Sequence, residues 1–363
     1  MSEVDGSSLT PLVCGFQDDR MLTATPTSGT RVSMTPLTFT PHLREQVWGG
    51  RRLGTLLGRQ LPAEGRFGES WELSTHKLHV SRVNHGPWAG RTLEEIWNQY
   101  SEIWQPVGQR EDGSFPLLVK WLACEAMLSV QVHPGDECAR RLLNEASGKT
   151  EAWVVIYAEP TARIYAGLKP GVDRTELERR SADATVAECL HSFTPKRGDV
   201  VHIPAGTVHA SGGGLVMAEV QQTSDATFRL FDWNRTGADG KRRQLHLAEA
   251  FECIDYNRGP VNPLARLELD GPCESALTAI HECPYFRFES LSVGREWINL
   301  PGDEMTIVMC LAGSLTIGEG AEAVTLATGS TCLLPPQNDG WAVATDNTDG
   351  GRALVVRAGE RQA

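Results

Sequence analysis

The chain has 363 residues, of which 40% are hydrophobic and 22% charged, a composition typical of a globular protein with a substantial core. Its 34 basic and 46 acidic residues give a net charge of −12, which argues against binding to nucleic acids or membrane surfaces. No apolar run approaches the roughly 20 residues of a membrane-spanning helix, and the acidic, polar N-terminus does not resemble a signal peptide. The nine cysteines are scattered without a CxxC pair, so we expect reduced thiols and a cytoplasmic protein.

The first part of the chain combines a polar N-terminal segment with a mixture of helices and strands. Residues 1–34 are rich in Ser, Thr, Gly and Asp without periodicity and are expected to be disordered, with Met34 as an alternative start. Apolar spacing then predicts three helices, within 91–104, 137–146 and 175–190. Runs rich in Val and Ile, with Gly and Pro between them, predict strands within 115–133, 151–159, 199–206 and 215–224.

Beyond about residue 258 the pattern is one of strands alone. Short apolar runs within 287–293, 304–318, 323–336 and 352–359 are separated by turn residues, as is typical of an antiparallel sandwich or barrel. The proline-rich stretch 256–272 is the predicted linker before them. The sequence therefore predicts a mainly β protein, with a β-barrel carrying helical insertions over 35–258 and a second, smaller β-barrel domain over 259–363.

Several side chains with metal-binding atoms lie near strand ends in the first predicted domain. Gln131 and His133 are two residues apart in a strand and therefore project from the same face. Glu151 begins the next strand, with Lys149 on the same face, and His209 follows a Pro-x-Gly turn. Two imidazoles, a carboxylate and an amide oxygen form a site for a divalent ion, for which zinc is preferred and iron, manganese and cobalt remain open.

The motifs around these residues resemble a known family. The spacing G-x5-P-x-G-x2-H at 198–209 resembles the second metal motif of the cupin superfamily. The first cupin motif is a His-x-His pair with a nearby Glu, whereas here Gln131 replaces one His and Glu151 comes 18 residues after His133. This departure resembles the type I mannose-6-phosphate isomerases in their compact bacterial form. The similarity extends from about residue 37 to the end, through the blocks VWGGRRLG, GESWELSTH, FPLLVKWL, LSVQVHPGD, GKTEAWVVI, PAGTVHA and EVQQTSDATFRLFDWNR.

The resemblance implies an activity and roles for individual residues. It implies interconversion of mannose 6-phosphate and fructose 6-phosphate through an enediol intermediate, with one zinc ion per chain in a cupin-type jelly roll and a metal-free second domain. The implied zinc ligands are Gln131, His133, Glu151 and His209. The implied catalytic residues are Arg229 and Lys149, the latter as an acid or base. The residues implied to contact the substrate are Lys120 and Ser129 at its phosphate, and Trp71 and Glu72 at the pocket rim.

Some of these residues also have a plainer interpretation. Lys120 is equally consistent with a strand-end charge that reaches solvent along its alkyl stem, and Ser129 with a hydroxyl bonded to the backbone. Arg235 competes with Arg229 for the catalytic role. His202 is expected to be an ordinary core or surface histidine.

Two other functions remain open beside the first. One is an isomerase of another phosphosugar on the same site, and the other is a non-catalytic, sugar-phosphate-binding regulatory cupin. The presence of all four ligand residues together with Lys149 and Arg229 favours an enzyme, because a binding module would be free to lose one of them. We expect a hexose phosphate substrate, no nucleic-acid or membrane partner, and a monomer or homodimer.

Overall fold

A computed structural model describes residues 35–100, Trp104, 113–237 and 240–359. The segment 1–34, expected to be disordered, lies outside these described residues, as do 101–103 near the end of the first predicted helix. Among the described residues, no helix is long and apolar enough to cross a membrane.

The strands up to residue 266 include those that carry the predicted site. In chain order they are β1 (Leu37–Thr38), β2 (His42–Gly50), β3 (Phe67–Leu73), β4 (Thr75–His76), β5 (His79–Val80), β6 (Leu117–Cys124), β7 (Val130–Val132), β8 (Glu151–Ala158), β9 (Arg163–Leu168), β10 (Leu190–Phe193), β11 (Asp199–Ile203), β12 (His209–Gly212), β13 (Leu215–Gln222), β14 (Phe228–Phe231) and β15 (Ala265–Arg266).

The α-helices are short and lie between these strands. They are α1 (Arg52–Leu57), α2 (Leu93–Gln99), α3 (Asp136–Leu143), α4 (Arg174–Ala182) and α5 (Leu247–Cys253).

The rest of the described chain is built from strands, with 3-10 turns at Val186–Cys189 and Gly320–Glu322. The strands are β16 (Ala276–Glu282), β17 (Phe286–Val293), β18 (Ile298–Leu300), β19 (Thr306–Ala312), β20 (Ser314–Ile317), β21 (Val324–Ala327), β22 (Thr331–Leu334), β23 (Trp341–Ala344) and β24 (Gly351–Ala358).

Antiparallel pairing joins the strands into four larger sheets and one small hairpin, so the predicted mainly β class is confirmed. A seven-stranded sheet has the order β15-β11-β8-β13-β6-β3-β2, and a five-stranded sheet the order β10-β9-β12-β7-β14. The C-terminal strands form a six-stranded sheet, β1-β22-β19-β24-β17-β16, and a four-stranded sheet, β18-β23-β20-β21. The small hairpin pairs β4 with β5.

The central strands of the seven-stranded sheet explain why the sequence there shows apolar runs rather than alternation. Every residue of β6 and of β13 is buried, which means that both faces of the sheet are covered in this region. Lys120 and Glu219 are nevertheless placed in these two strands, directly opposite each other. Buried charges of this kind require partners, and they lie beside the predicted site.

The predicted helices are present but shorter than expected. α2 begins with a capping box, in which the Thr92 hydroxyl accepts from the Glu95 N–H and the Glu95 carboxylate accepts from the Thr92 N–H. The third predicted helix, 175–190, divides into α4 and a separate 3-10 turn. Ala184 lies between them with φ of 57°, a left-handed conformation that a continuous helix does not contain.

The predicted linker 256–272 does not cross open solvent. Its backbone follows the edge of the seven-stranded sheet, where the Leu264 N–H donates to Val200 O at 2.8 Å and the Leu267 N–H donates to Gly198 O at 2.9 Å. Within it, β15 pairs with β11. Proline-rich segments often form free connections between domains, whereas this segment extends a sheet.

The largest hydrophobic cluster contains side chains from both sides of the predicted domain boundary. Trp121 and Val154 of the seven-stranded sheet share it with Phe286, Met309 and Val356 of the six-stranded sheet. In addition, β1 from the start of the described chain pairs with β22 near its end. The division at 258 stays a prediction.

Candidate metal and substrate site

Two sheets contribute the residues of a buried cluster. Glu151 is the first residue of β8 in the seven-stranded sheet, whereas His209 begins β12 and His133 directly follows β7 in the five-stranded sheet. His133 Nε2 is 3.4 Å from Glu151 Oε2, and His209 Nε2 is 3.4 Å from Glu151 Oε1. One ligand atom from each side chain lies within 4.8 Å of the others, and all three side chains are 1% exposed. The structure therefore brings together three of the four residues predicted as metal ligands.

Hydrogen bonds to the backbone fix the tautomer of both histidines. His133 Nδ1 lies 2.8 Å from Ala226 O, and His209 Nδ1 lies 2.9 Å from Thr207 O. A carbonyl only accepts, so each Nδ1 carries the proton and each Nε2 presents a lone pair. These lone pairs face the Glu151 carboxylate, and His133 Nε2 is buried without a hydrogen-bond partner. A cation among these atoms would satisfy all of them.

The protonation states agree with this geometry. Burial, followed by the charge of Lys149, lowers the pKa of His133 to about 3. Burial also lowers the pKa of His209. Burial by itself would raise the pKa of Glu151, but Lys149 and His133 outweigh it and hold that pKa well below its ordinary value. Near neutral pH the cluster is thus a carboxylate with two neutral imidazoles, the forms that bind metal ions.

Gln131, the fourth predicted ligand, lies next to this cluster. Its Nε2 is 3.3 Å from His209 Nε2, and its Oε1 accepts a hydrogen bond from Ser129 Oγ at 2.9 Å. A half-turn of the amide would exchange the two atoms, directing Oε1 toward the histidine and leaving Nε2 to donate to the serine oxygen. Ser129 therefore positions the Gln131 side chain, and its hydroxyl does not donate to the backbone as the plainer interpretation supposed.

Arg229 lies in one row with two of the proposed ligands. It is directly opposite Gln131 across β14 and β7, and Gln131 is directly opposite His209 across β7 and β12. Residues opposite each other in antiparallel strands project from the same face, so the guanidinium is on the side of the cluster. Its Nε is buried without a hydrogen-bond partner. Burial and the nearby Arg243 lower the pKa of Arg229, but an arginine remains charged.

Arg235, the competing candidate, is engaged elsewhere. It forms an ion pair with Asp232 and donates to Met127 O. Asp232 also binds Arg243, with Oδ2 2.8 Å from Nε. This arrangement favours Arg229 as the arginine that faces a substrate.

Lys149 lies between the cluster and a group of acidic residues. Its Nζ is 3.1 Å from Glu151 Oε2, and the side chain is 6% exposed. Burial lowers the pKa of Lys149, but the carboxylates of Glu151, Glu219 and Asp225 outweigh burial, so the pKa is raised above its ordinary value. The side chain is therefore an ammonium group in this surrounding.

Lys120 is surrounded by carboxylates. Its Nζ is 3.4 Å from Glu219 Oε1, 3.7 Å from Asp225 Oδ1 and 3.8 Å from Glu69 Oε2. The residue is 2% exposed, so its ammonium group does not reach solvent as the plainer interpretation supposed. The predicted phosphate contact stays a prediction, and three negative neighbours oppose it.

The two predicted rim residues face opposite sides of β3. Trp71 lies opposite Lys120, whose Nζ is 5.0 Å from the centre of the indole ring, so this residue is on the side of the acidic group. Glu72 instead accepts from Arg59 at 2.9 Å, and Arg59 also donates to Gly329 O in the C-terminal part of the chain. Because neighbouring strand residues alternate, the structure does not bring Glu72 to the cluster.

Sequence reasoning missed the acidic residues beside the cluster. Glu219 accepts from the Trp153 indole N–H at 3.0 Å, and Glu69 accepts from the Trp71 indole N–H at 2.7 Å. The signal for Glu219 was available, because a carboxylate inside the apolar run LVMAEVQQ must be paired if the strand is buried.

A cavity of about 330 Å³ adjoins the loop that holds His133. Ala226 and Thr227 line it, and both contact the His133 ring. Lys77 and His246 line the same cavity together with Glu145, Asp225 and Glu249, and Lys77 pairs with Glu145 at 2.9 Å. Space for a small polar molecule therefore lies beside the cluster.

Comparisons with known proteins agree with this site. The model of the family described as phosphomannose isomerase type I, catalytic domain, matches residues 37–152. A mannose-6-phosphate isomerase of Bacillus subtilis is 39% identical over 271 residues, which cover 74% of this chain and 80% of that protein. A mannose-6-phosphate isomerase of Streptococcus mutans is 31% identical over 306 residues, which cover 84% of this chain and 94% of that protein.

A solved structure extends the likeness to the fold. The crystal structure of a mannose 6-phosphate isomerase from Bacillus subtilis superposes with a TM-score of 0.76 at 29% identity, covering 89% of this chain and 99% of that one. The predicted cupin-type fold is thereby confirmed. The sequence matches most of the length of two relatives, and the fold matches that of a solved structure. The chain therefore belongs to the type I phosphomannose isomerase family of enzymes.

Proposed function

We propose that the protein is a zinc-dependent aldose–ketose isomerase that interconverts mannose 6-phosphate and fructose 6-phosphate through an enediol. The observation that carries the proposal is the buried cluster of His133, Glu151 and His209, in which two Nε2 lone pairs face one carboxylate. The names of the relatives at 39% and 31% identity support the choice of substrate.

The donor set fits a zinc ion. His133, Glu151 and His209 would bind it, and Gln131 would join them through Oε1 after rotation of its amide. Neutral imidazoles and a carboxylate are common zinc ligands, although other divalent ions also accept them. When bound, the ion supplies Lewis-acid stabilisation of negative charge on the sugar oxygens.

Arg229 contributes a fixed positive charge on the same face as the ligands. In the isomerisation a proton leaves C2 and a proton is added at C1, and between these steps negative charge develops on the C1 and C2 oxygens. A guanidinium already in place stabilises this charge without reorganising, which is the usual source of a large rate effect. The cross-strand row from His209 through Gln131 to Arg229 supports this role.

Lys149 supplies a proton rather than accepting one. Its Nζ is buried 3.1 Å from Glu151 and holds its proton because of the surrounding carboxylates. We therefore assign it to protonate a sugar oxygen as the enediol forms and to recover that proton when the enediol collapses to the product carbonyl. A positioned acid of this kind contributes a factor of about 10²–10⁴. The contacts of Lys120 and Ser129 with the phosphate remain part of the proposal.

The test is a coupled assay of the purified full-length protein with mannose 6-phosphate. Chelation should abolish turnover, and added zinc should restore it. His209→Ala should lose bound metal and turnover together, whereas His191→Ala should keep both, because His191 bonds Asn262 outside the cluster. Undiminished turnover of the chelated protein, with bound metal shown to be absent, would contradict the proposal.

The same assay separates the two alternative functions. Metal binding without turnover of any hexose phosphate would indicate the regulatory binding module. Metal-dependent turnover that is faster with another phosphosugar would indicate a different isomerase on this site. The presence of Arg229 beside the cluster favours turnover of some phosphosugar over binding alone.

A cytoplasmic location is also part of the proposal. The eight cysteines among the described residues are free thiols, which is typical of a reducing compartment. A monomer or homodimer stays a prediction, which sedimentation of the purified protein would check.

A further inference from the structure

A second group of metal-binding side chains lies outside the site described above. It consists of His202 in β11, His281 in β16 and Cys283 directly after β16. One ligand atom from each lies within 4.8 Å of the others, as close as in the first cluster. The two groups have no residue in common. The group includes His202, which was expected to be an ordinary core or surface histidine.

His202 is near His209 in sequence, but strand geometry directs it away from the first cluster. His202 is opposite Ala152 across β11 and β8, whereas the next residue, Ile203, is opposite Glu151. Successive residues of a strand project from opposite faces. His202 thus points away from the face that carries Glu151 and toward the C-terminal strands, where its ring is 6.2 Å from that of Phe286.

The hairpin of β16 and β17 carries the other two side chains, His281 and Cys283. The pairing register shifts between Ala279 and His281, and such a bulge re-aims the side chains beside it. The His281 ring lies 4.4 Å from the His202 ring. Cys283 then closes the hairpin turn, with its N–H donating to Phe286 O at 3.0 Å.

The histidine nitrogens in this group lack partners. His202 Nε2 and His281 Nε2 are both buried without a hydrogen bond. Two unsatisfied imidazole nitrogens beside a thiol are unfavourable unless a further atom binds them.

Cys283 lies in a tight turn, where the backbone of Tyr285 and Phe286 hydrogen-bonds its sulfur. Burial outweighs these bonds and raises the pKa of the thiol above its ordinary value. Backbone donors to sulfur in a tight turn are the kind of surrounding partner that metal-bound ligands use. A bound cation would favour the thiolate.

We propose that His202, His281 and Cys283 bind one transition-metal ion, with zinc as the class of ion that this donor set prefers. Two imidazoles and a thiolate are soft enough to select zinc over magnesium or calcium. A cavity of about 540 Å³ borders His202 and is lined also by Pro204, Asp255 and Arg258, so there is open space on the His202 side of the group.

Such an ion would link two parts of the fold. On one side it holds β11, which leads into the Pro204–His209 turn of the first cluster. On the other side it holds the hairpin of β16 and β17 in the six-stranded sheet. The ion would therefore act as a structural crosslink, and its binding should raise the melting temperature of the full-length protein.

Cobalt titration tests the proposal, because cobalt bound to a thiolate shows a sulfur-to-metal charge-transfer band. Metal-free full-length protein is titrated with cobalt(II) chloride and followed by absorbance. We expect two bound equivalents and one thiolate band. The first cluster offers only nitrogen and oxygen donors, so the band reports the second group alone. Binding of a single equivalent without a thiolate band would overturn the proposal.

Variants assign the band to its residues. Cys283→Ser and His281→Gln should each lose one equivalent of cobalt and the thiolate band. Cys138→Ser is the matched control and should keep both, although its thiol lies only 2.9 Å from that of Cys253. His209→Ala should lose an equivalent and keep the band, so failure of this proposal and failure of the proposed function are distinguishable. A band that persists in both Cys283→Ser and His281→Gln would refute the assignment.

Discussion

Arg229 and Arg235 lie six residues apart, and their neighbours distinguish them more clearly than their positions in the sequence. The Arg235 guanidinium is neutralised by Asp232, whereas Arg229 lies in the row of Gln131 and His209. A charge that is already paired cannot respond strongly to charge on a substrate. The difference in pairing leads to a direct test.

Arg229→Ala should lower kcat by about 10²–10³-fold, the usual effect of removing one preorganised charge stabiliser. The metal content should not change, because the side chain is not among the proposed ligands. Measurement of kcat and of zinc per chain checks both parts. Arg235→Lys is the control and should retain most of the activity. A wild-type kcat in Arg229→Ala would show that its assignment is wrong.

A substitution of Lys120 distinguishes a role in stability from a role in phosphate binding. Lys120→Met removes the positive charge near Glu69, Glu219 and Asp225, and leaving buried charges uncompensated costs about 3–5 kcal/mol. We therefore expect a lower free energy of unfolding, measured by urea denaturation. The KM for mannose 6-phosphate, measured on folded protein, reports the predicted phosphate contact separately. An unchanged unfolding free energy together with a raised KM would mean that phosphate binding is its main role.

His79 should make stability depend on pH. Its ring stacks on that of His42 with centres 4.1 Å apart, and burial, followed by His42, lowers its pKa from 6.5 to about 4. Between these values the unfolded chain binds more protons than the folded one, so this contribution to stability is complete above pH 6.5 and is lost as the pH falls toward 4. His79→Phe should show a shallower loss of unfolding free energy over that window. An equal slope in both proteins would contradict the prediction.

At the scale of strands, alternation was sufficient to predict which side chains share a face. Gln131 and His133 were expected on one face of a strand, and the two side chains lie 3.3 Å from His209 Nε2 and 3.4 Å from Glu151 Oε2, respectively. Lys149 and Glu151 were likewise expected together, and their charged groups are 3.1 Å apart. Period-two spacing is a local property, so the sequence contains it directly.

The relation between sheets could not be read from the same pattern. The position of Glu219 in the sequence does not predict that it lies opposite Lys120, because the register between distant strands depends on the whole fold. The helices α1 and α5 were not predicted, since six or seven residues are too few for a clear helical period. Likewise, the bulge that directs His281 toward His202 has no local signal.

For the molecule as a whole, the shared hydrophobic cluster matters more than the predicted boundary at 258. Trp121 of β6 packs in the same core as Phe286 of β17, and its indole N–H donates to Thr331 Oγ1 at 3.3 Å. Unfolding one part would expose the other. The two predicted domains should therefore lose structure together.

Heating or urea should accordingly produce one unfolding transition for residues on both sides of the boundary. Tryptophan fluorescence and circular dichroism should give the same midpoint, and Trp297, which is 65% exposed near the C-terminal strands, can be replaced by Phe to reduce its background signal. Two separated midpoints would instead support independent domains.

The carbonyls of Ala226 and Thr207 set the tautomers of His133 and His209, and both belong to the main chain. Any amino acid at either position would offer the same acceptor. During evolution the proton placement can therefore persist through any substitution at these two sites that fits the buried space. A comparison of side chains among relatives would not identify Ala226 and Thr207, although the main-chain oxygens of these residues hold the histidine protons in place.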